Sequence, residues 1–149
     1  MEASTRWQKD QQGLKFETQC GNHLVPMDAK SPIGRGEAPT PKQMLLAAIT
    51  GCTGMDVIAH LKKVKQIPES FEITLSTEDS TTHPVVFQKL HLLYRLKSHG
   101  SKEAILDAVH RSMTQYCGVS AMISKACPIT YDVWLEDEKI GQGTAAFSF

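Results

Sequence analysis

Two of the four cysteines in this 149-residue chain occupy settings that favour thiol chemistry. Cys52 lies in the middle of the apolar stretch Thr40–Gln66. Cys117 precedes a predicted short helix, where free backbone N–H groups and the positive end of the helix dipole favour a thiolate. Such a pair can reduce a peroxide, because one thiolate becomes a sulfenic acid and the second thiol condenses with it to a disulfide. By themselves the residues equally allow two independent buried cysteines.

The other two cysteines fit structural roles. Cys20 ends an alternating stretch, Leu14–Cys20, whose pattern predicts a strand with Cys20 on the core side as a small buried hydrophobe. Cys127 stands directly before Pro128 and the last predicted strand. The chain has no Cys-x-x-Cys spacing and its six histidines are scattered. The sequence therefore predicts neither a metal site nor a bound cofactor.

The stretch Thr40–Gln66 predicts a long helix with Thr40 as N-cap and Pro41 at its first position. Apolar residues occur on nearly every side, which is typical of a buried central helix. Gly51 and Gly54 interrupt it, and each glycine costs about 1 kcal/mol of helix propensity relative to alanine. We expect close approach by another backbone to compensate, such as the same helix of a second subunit.

The order of predicted elements is βββ-α-ββ-α-α-β, without regular βαβ alternation. This order predicts one α+β domain over residues 1–149, built on an antiparallel sheet, with flexible residues 1–4 and 141–149. The predicted strands are 5–8, 14–20, 22–27, 72–77, 84–98 and 129–135, and the two later helices begin after Ser101 and at Ala121.

Charge and hydropathy narrow the range of partners. Sixteen basic and sixteen acidic residues cancel, so the net charge gives no reason to expect a nucleic-acid partner or an anionic membrane. We expect no apolar run near the ~20 residues of a membrane-spanning helix. The polar start of the chain, MEASTRWQKD, lacks the features of a signal peptide. These observations predict a cytoplasmic protein, and structural disulfides are rare in that compartment.

Two widely separated motifs carry a family resemblance. Pro41–Cys52 (PKQMLLAAITGC) is followed by Asp56 and Val57, and far downstream by Tyr116–Ser120 (YCGVS). This pattern resembles the OsmC/Ohr family of hydroperoxide reductases, most closely its YhfA-like branch. The resemblance implies an OsmC-like fold and an intertwined homodimer, with the central helices at its heart and two sites at the subunit interface. It also implies that Cys52 is the peroxidatic cysteine and Cys117 the resolving one.

The resemblance further implies an activity and its partners. The expected function is a thiol-dependent peroxidase of the oxidative stress response, reducing organic hydroperoxides with a dithiol reductant of lipoyl or thioredoxin type. An alternative is a redox-inert module of the same fold that binds an apolar ligand at the dimer interface. A third possibility is a structural dimer whose cysteines only pack.

One departure from the family concerns the activation of the thiol. Hydroperoxide reductases of this family pair a glutamate after the helix-opening proline with an arginine from the first hairpin. In this chain the glutamate position is Lys42, and the turn Asp10–Gly13 contains no arginine. Arg35 and Glu37, in the loop Ser31–Pro39, are candidates to replace that pair.

Asp56 is the last candidate site residue. It lies one helical turn after Cys52, on the same face of the predicted helix. Its carboxylate disfavours a thiolate at Cys52 unless a cation or a hydrogen bond offsets it. Asp56 is therefore predicted to line the site or to take part in activation, together with Arg35 and Glu37.

Overall fold

The computed structural model describes residues 1–9 and 13–148, so most of the predicted turn Asp10–Gly13 lies outside the described residues. The chain divides into two compact units, Met1–Ala47 and Ala48–Phe149, and the boundary falls inside the long helix. Each unit is described by itself, and the single-domain prediction stays a prediction.

The first unit contains a three-stranded antiparallel sheet. Its strands are β1 (Ala3–Trp7), β2 (Phe16–Cys20) and β3 (His23–Met27), in that order across the sheet. Gly21, with φ of +59°, makes the tight turn between β2 and β3. All three strands were predicted, although β1 includes residues 3 and 4, which were expected to be flexible.

The prediction that Cys20 faces the core is wrong. Cys20 is exposed, and Thr18 is the buried residue of β2. Cys20 pairs with His23 directly beside the turn, at the end of the ladder. Alternation assigns a residue to a face of the sheet, but a position at the end of a strand lacks the neighbours that would bury it.

The long helix, α1 (Pro41–Lys63), joins the two units. At its start the Gln43 backbone N–H donates to Thr40 Oγ1 at 3.3 Å. In return the Thr40 backbone N–H donates to Gln43 Oε1 at 2.8 Å. This reciprocal pair is a capping box, and it confirms Thr40 as the N-cap.

The second unit is built on a four-stranded sheet in the order β4-β5-β6-β7. β5 pairs with β6 in parallel, and the other pairs are antiparallel. The predicted antiparallel pairing therefore fails only between β5 and β6, because a helical crossover carries the chain back before β6 begins. The elements are β4 (Ser70–Asp79), β5 (Phe87–Lys97), α2 (Lys102–Arg111), a π-helical segment (Ser112–Tyr116), α3 (Gly118–Ser124), β6 (Ile129–Leu135) and β7 (Glu138–Thr144).

Apolar side chains form the core of the second unit. Ser101 caps α2, since its side chain accepts a hydrogen bond from the Ala104 backbone N–H at 3.1 Å. The core side chains come from alternate positions of β5 and β6, from one face each of α1 and α2, and from the π-helical segment. They include Leu90, Leu92, Tyr94, Leu96, Ile129, Val133, Ile105, Val109, Met113, Ile49, Val57 and Leu61.

Part of the segment 141–149 forms a strand that the sequence did not predict. β7 occupies part of the segment expected to be flexible, and Ala145 and Ala146 continue with backbone hydrogen bonds to Ile129 and Met113. A Cβ at Gly143 would clash with the Tyr131 side chain. The glycine therefore makes room for a neighbouring side chain and does not mark a mobile tail.

In the single chain α1 is buried along one stripe, not all round. Ile49, Thr53, Val57 and Leu61 form the stripe, whereas the Met55 side chain is 72% exposed.

By length and composition α1 meets the minimum for a membrane span, as apolar core helices also do. The prediction that no segment comes near that minimum is wrong, because threonines and glycines interrupt the apolar run without adding charge.

The two glycines of α1 have different surroundings. A Cβ at Gly54 would lie 3.3 Å from Ile73 Cδ1 of β4, so the close approach at this position occurs within one chain. A Cβ at Gly51 would have no atom within 4 Å. Gly51 is therefore the glycine that lies on the uncovered side of the helix.

Candidate functional site

The structure brings together three residues predicted to form the site. Cys52 and Asp56 project from one face of α1, four residues apart, and Cys117 comes from the start of α3. The two sulfur atoms and a carboxylate oxygen of Asp56 lie within 4.8 Å of one another. Residues 65 positions apart in sequence thus form one cluster inside the second unit.

The π-helical segment positions Cys117. The Cys117 backbone N–H donates to Ser112 O at 3.0 Å, an i to i−5 bond that ends the segment. Cys117 then turns to an extended conformation, with φ of −69° and ψ of 94°, and caps α3. π-helical turns are rare and frequently occur at functional sites. The wider turn delivers the cysteine to the α1 face that carries Cys52.

Burial dominates the chemistry of Cys117. Its side chain is fully buried, and its S–H donates to Ser120 Oγ at 3.0 Å. Burial, together with the hydrogen bond to Cys52, raises the pKa of the Cys117 thiol to about 11, although the bonds to Ser120 act in the opposite direction. The prediction that the helix start favours a thiolate here is wrong, because desolvation outweighs it. Cys52, by contrast, is partly exposed.

Asp56 has a weakly solvated carboxylate. Ser112 Oγ donates to Asp56 Oδ2 at 3.0 Å. Burial raises the pKa of Asp56 from its ordinary value, and this hydroxyl bond opposes the shift without cancelling it. A carboxylate with a raised pKa exchanges protons closer to neutral pH than an ordinary aspartate does.

A chain of buried hydroxyls leads to Asp56. Tyr94 OH lies 2.7 Å from Thr53 Oγ1, which lies 2.8 Å from Ser112 Oγ. Because Ser112 donates its proton to the carboxylate, it accepts from Thr53, and Thr53 in turn accepts from Tyr94. Burial raises the pKa of Tyr94, so the phenol keeps the proton that it donates. All these protons point toward Asp56.

Sequence analysis missed these hydroxyl residues as members of the site. Tyr94 lies in the predicted strand 84–98, Ser112 in the helix predicted to begin after Ser101, and Thr53 between Gly51 and Gly54 of the long helix. The available signal was a polar side chain at a core position, which needs a buried hydrogen-bond partner. The sequence pattern does not show which residue that hydrogen-bond partner is.

Arg35 and Glu37 lie in the first unit. Arg35 Nη1 is 3.7 Å from Glu37 Oε1, Lys15 Nζ is 3.1 Å from Glu37 Oε2, and the three side chains are 38 to 47% exposed. Lys42, in the first turn of α1, also belongs to this unit and is partly buried. The predicted role of Arg35 and Glu37 at the thiols stays a prediction.

A pocket opens beside Asp56. It has a volume of about 320 Å³ and is lined by Asp56, Ala59, His60, Lys63 and Tyr116. His60 Nε2 lies 3.2 Å from Asp107 Oδ2. His60 and Lys63 therefore line the same pocket as the Asp56 carboxylate. The pocket gives small molecules a route to that carboxylate.

A sequence profile of OsmC-like proteins matches residues 34–132, a range that contains Cys52, Asp56 and Cys117. The chain belongs to the OsmC-like family. Protein YhfA from Escherichia coli K12 is 33% identical over 134 residues, which is 88% of this chain and 95% of YhfA. These matches confirm the predicted family.

Solved structures of OsmC-like proteins share the fold. The OsmC-like protein from Mycoplasma pneumoniae matches with a TM-score of 0.77 and 12% identity, over 91% of this chain and 96% of that one. The organic hydroperoxide resistance protein OhrB of Bacillus subtilis matches with a TM-score of 0.60 and 16% identity, over 91% and 97%. An OsmC-like α+β fold is thus confirmed, and its described residues form two sheets and three α-helices.

Proposed function

We propose that the protein is a cytoplasmic thiol-dependent peroxidase that reduces organic hydroperoxides in oxidative-stress defence. Cys52 is the peroxidatic cysteine and Cys117 the resolving cysteine. The observation that carries the proposal is the pair of sulfur atoms within 4.8 Å of each other, one partly exposed and one buried. The name of the related OhrB, an organic hydroperoxide resistance protein, supports the same chemistry.

In the first step the Cys52 sulfur attacks the terminal oxygen of the hydroperoxide. The O–O bond breaks, an S–O bond forms, and the alkoxide leaves. The Asp56 carboxylate accepts the thiol proton and returns it to the alkoxide, which departs as the alcohol. Asp56 thereby takes the proton-transfer part of the task for which the family uses a glutamate after the proline.

In the second step Cys117 resolves the sulfenic acid on Cys52. Its sulfur attacks the Cys52 sulfur, a disulfide forms, and the hydroxide leaves with the Cys117 proton as water. A pKa of about 11 keeps Cys117 as a thiol at neutral pH. Because the thiolate is the form that attacks a peroxide, Cys117 does not compete with Cys52 for the substrate. An external dithiol of lipoyl or thioredoxin type then reduces the disulfide and restores both thiols.

The test compares two conservative variants with cumene hydroperoxide as substrate. Cys52→Ser should consume essentially no peroxide, because a hydroxyl does not replace the thiolate as nucleophile. Cys117→Ser should consume about one equivalent and then stop, with Cys52 as sulfenic or sulfinic acid. Cys20→Ser and Cys127→Ser are the matched controls and should retain turnover.

Peptide mapping of the wild-type protein separates the possible outcomes. After one equivalent of peroxide, the proposal expects a disulfide between Cys52 and Cys117. A disulfide between Cys52 and Cys127 would reassign the resolving role. Free thiols at both site cysteines would end the peroxidase proposal and leave the binding module as the better interpretation.

The proposal includes a homodimer formed on the uncovered face of α1. Only 22% of the most apolar window of this helix is buried in the single chain, and apolar surfaces of that size are usually covered. Gly51 has open space in the single chain, so Gly51→Leu should leave the monomer folded but disrupt a close contact between helices. Light scattering should show a wild-type dimer and a largely monomeric variant. A wild-type monomer at micromolar concentration would contradict the dimer.

A further inference from the structure

Cys52, Asp56 and Cys117 also have the geometry of a metal site, which their spacing in the sequence did not reveal. Their two sulfur atoms and one carboxylate oxygen lie within 4.8 Å of one another. In a tetrahedral zinc site, with Zn–S of about 2.3 Å and Zn–O of about 2.0–2.2 Å, neighbouring ligand atoms are about 3.5–3.8 Å apart. Side-chain shifts of roughly 1 Å would therefore let one ion contact all three residues.

We propose that the reduced protein binds a thiophilic divalent cation, Zn²⁺ or Cd²⁺, through Cys52 Sγ, Cys117 Sγ and a carboxylate oxygen of Asp56. Two thiolates with one carboxylate suit these ions, whereas Mg²⁺ and Ca²⁺ require mainly oxygen ligands. Two metal–sulfur bonds form as the thiol protons pass to solvent, and no atom changes its oxidation state.

The backbone presents these ligands in a suitable arrangement. Cys52 and Asp56 are four residues apart on α1, a spacing that points both side chains to one side of a helix. The same spacing serves two histidine ligands in helical zinc motifs. Cys117 supplies the third ligand from the start of α3. The three donor atoms therefore approach an ion from different directions.

Hydrogen bonds around the cluster orient the ligands. Ser112 Oγ donates to Asp56 Oδ2 at 3.0 Å, which fixes the direction of the carboxylate. Thr53 fixes Ser112 in turn at 2.8 Å. The Ser120 backbone N–H lies 3.4 Å from Cys117 Sγ and can support a metal-bound thiolate. Such outer partners fix the direction of each ligand and raise metal affinity.

The fourth coordination position would hold water. The pocket of about 320 Å³ that Asp56 lines gives an ion an entry path and room for that water. Three protein ligands with one open position are typical of zinc sites that remain accessible to small molecules. His60 also lines this pocket, but its Nε2 already lies 3.2 Å from Asp107.

Metal binding would control the reactivity of the thiol pair. An ion bound to both sulfur atoms shields them from peroxide, and a disulfide between them no longer offers thiolates to the ion. Metal binding and disulfide formation at the cluster would therefore exclude each other. This consequence rests on the proposed peroxidase function, whereas metal binding itself does not.

The test is a titration of the reduced full-length protein with Cd²⁺ in the absence of oxygen and peroxide. The thiolate-to-cadmium absorption band should saturate at one equivalent, and Zn²⁺ should displace the Cd²⁺. Cys52→Ser and Cys117→Ser should each weaken binding by about 100-fold or more, and Asp56→Asn by about 10-fold or more. The double variant Cys20→Ser/Cys127→Ser should bind as the wild type does.

Specific results would overturn the proposal. They are the absence of a saturable band in the wild-type protein, loss of the band in the Cys20→Ser/Cys127→Ser variant, or wild-type affinity in both Cys52→Ser and Asp56→Asn. Disulfide-oxidised protein should bind no Cd²⁺ at this site. Because the titration contains no peroxide, its outcome is separate from that of the turnover assay.

Discussion

Asp28 and Asp56 are both carboxylates withdrawn from water, yet their surroundings drive their protonation in opposite directions. Burial opposes ionisation of Asp28, but backbone N–H groups of Glu37, Ala29, Arg35 and Gly36 outweigh it and lower the pKa. The distances from Ala29, Arg35 and Glu37 are 2.7, 3.2 and 3.1 Å. Asp56 receives one hydroxyl donor instead, and burial raises its pKa.

The difference shows what each carboxylate is suited to do. Several backbone donors favour the ionised form of Asp28 and lower its pKa, and in return the carboxylate fixes the loop that carries Arg35 and Glu37. At Asp56 burial, opposed by a single hydroxyl donor, raises the pKa, so the protonated form persists to higher pH than in an ordinary aspartate. A group that holds structure needs the first arrangement, and a group that transfers protons needs the second.

The largest expected effect is on turnover. Asp56→Asn keeps the shape of the side chain but removes the proton acceptor, so peroxide reduction at neutral pH should fall by about 100-fold or more. Only the ionised carboxylate accepts a proton, so the wild-type rate should decline as pH falls through the raised pKa of Asp56, above its ordinary value of 3.8. That acid limb should disappear in the variant. Asp132→Asn, on β6, is the matched control.

Equal rates for Asp56→Asn and the wild type would show that Asp56 takes no part in proton transfer. Asp28 and Asp56 would then differ in their hydrogen bonds and pKa shifts, but not in a role in proton transfer. A rate loss in both Asp56→Asn and Asp132→Asn would point to a general effect of lost charge.

A smaller effect is expected on the loop that Asp28 organises. Asp28→Ala removes the acceptor for several backbone donors, so the amides of Ala29, Arg35 and Glu37 should exchange with solvent about tenfold faster or more. Asp28→Asn keeps one carbonyl acceptor and should fall between that variant and the wild type. Hydrogen exchange followed by NMR measures both, and unchanged protection in Asp28→Ala would contradict the assignment.

The pH dependence of this loop follows from the sign of the shift. The folded pKa of Asp28 is lowered, so its stabilisation is present above the unfolded value near 3.8 and is lost as pH falls through the folded pKa. Protection of the three amides in the wild type should therefore be full at pH 3.8 and be lost only as pH falls further, through the lowered pKa of the folded state.

The smallest effect concerns stability at the site. The folded pKa of Asp56 is raised, so the stabilisation it gives is present below the unfolded pKa and is lost as pH rises through the folded one. Asp56→Asn should therefore raise the melting temperature at pH 7, by less than about 4 °C. The gain should vanish below pH 3.8. A variant less stable than wild type at pH 7 would contradict this sign.

Much of the fold could be predicted because its signals are local. Thr40 was recognised as a helix cap, a second helix was predicted to begin after Ser101, and the predicted strand 84–98 contains β5. The family motifs singled out Cys52 and Cys117, and the structure places their sulfur atoms close together. Spacing within an element follows from backbone geometry, so a sequence pattern contains it directly.

What only the tertiary structure decided depends on distant neighbours. The parallel pairing of β5 and β6, the exposure of Cys20 and the burial that keeps Cys117 protonated follow from which elements pack together. The hydroxyl chain from Tyr94 through Thr53 and Ser112 joins three elements of the second unit. Desolvation and hydrogen bonding are set by atoms far away in sequence, and these interactions raise the pKa of Cys117 and shift the pKa values of Asp28 and Asp56 in opposite directions.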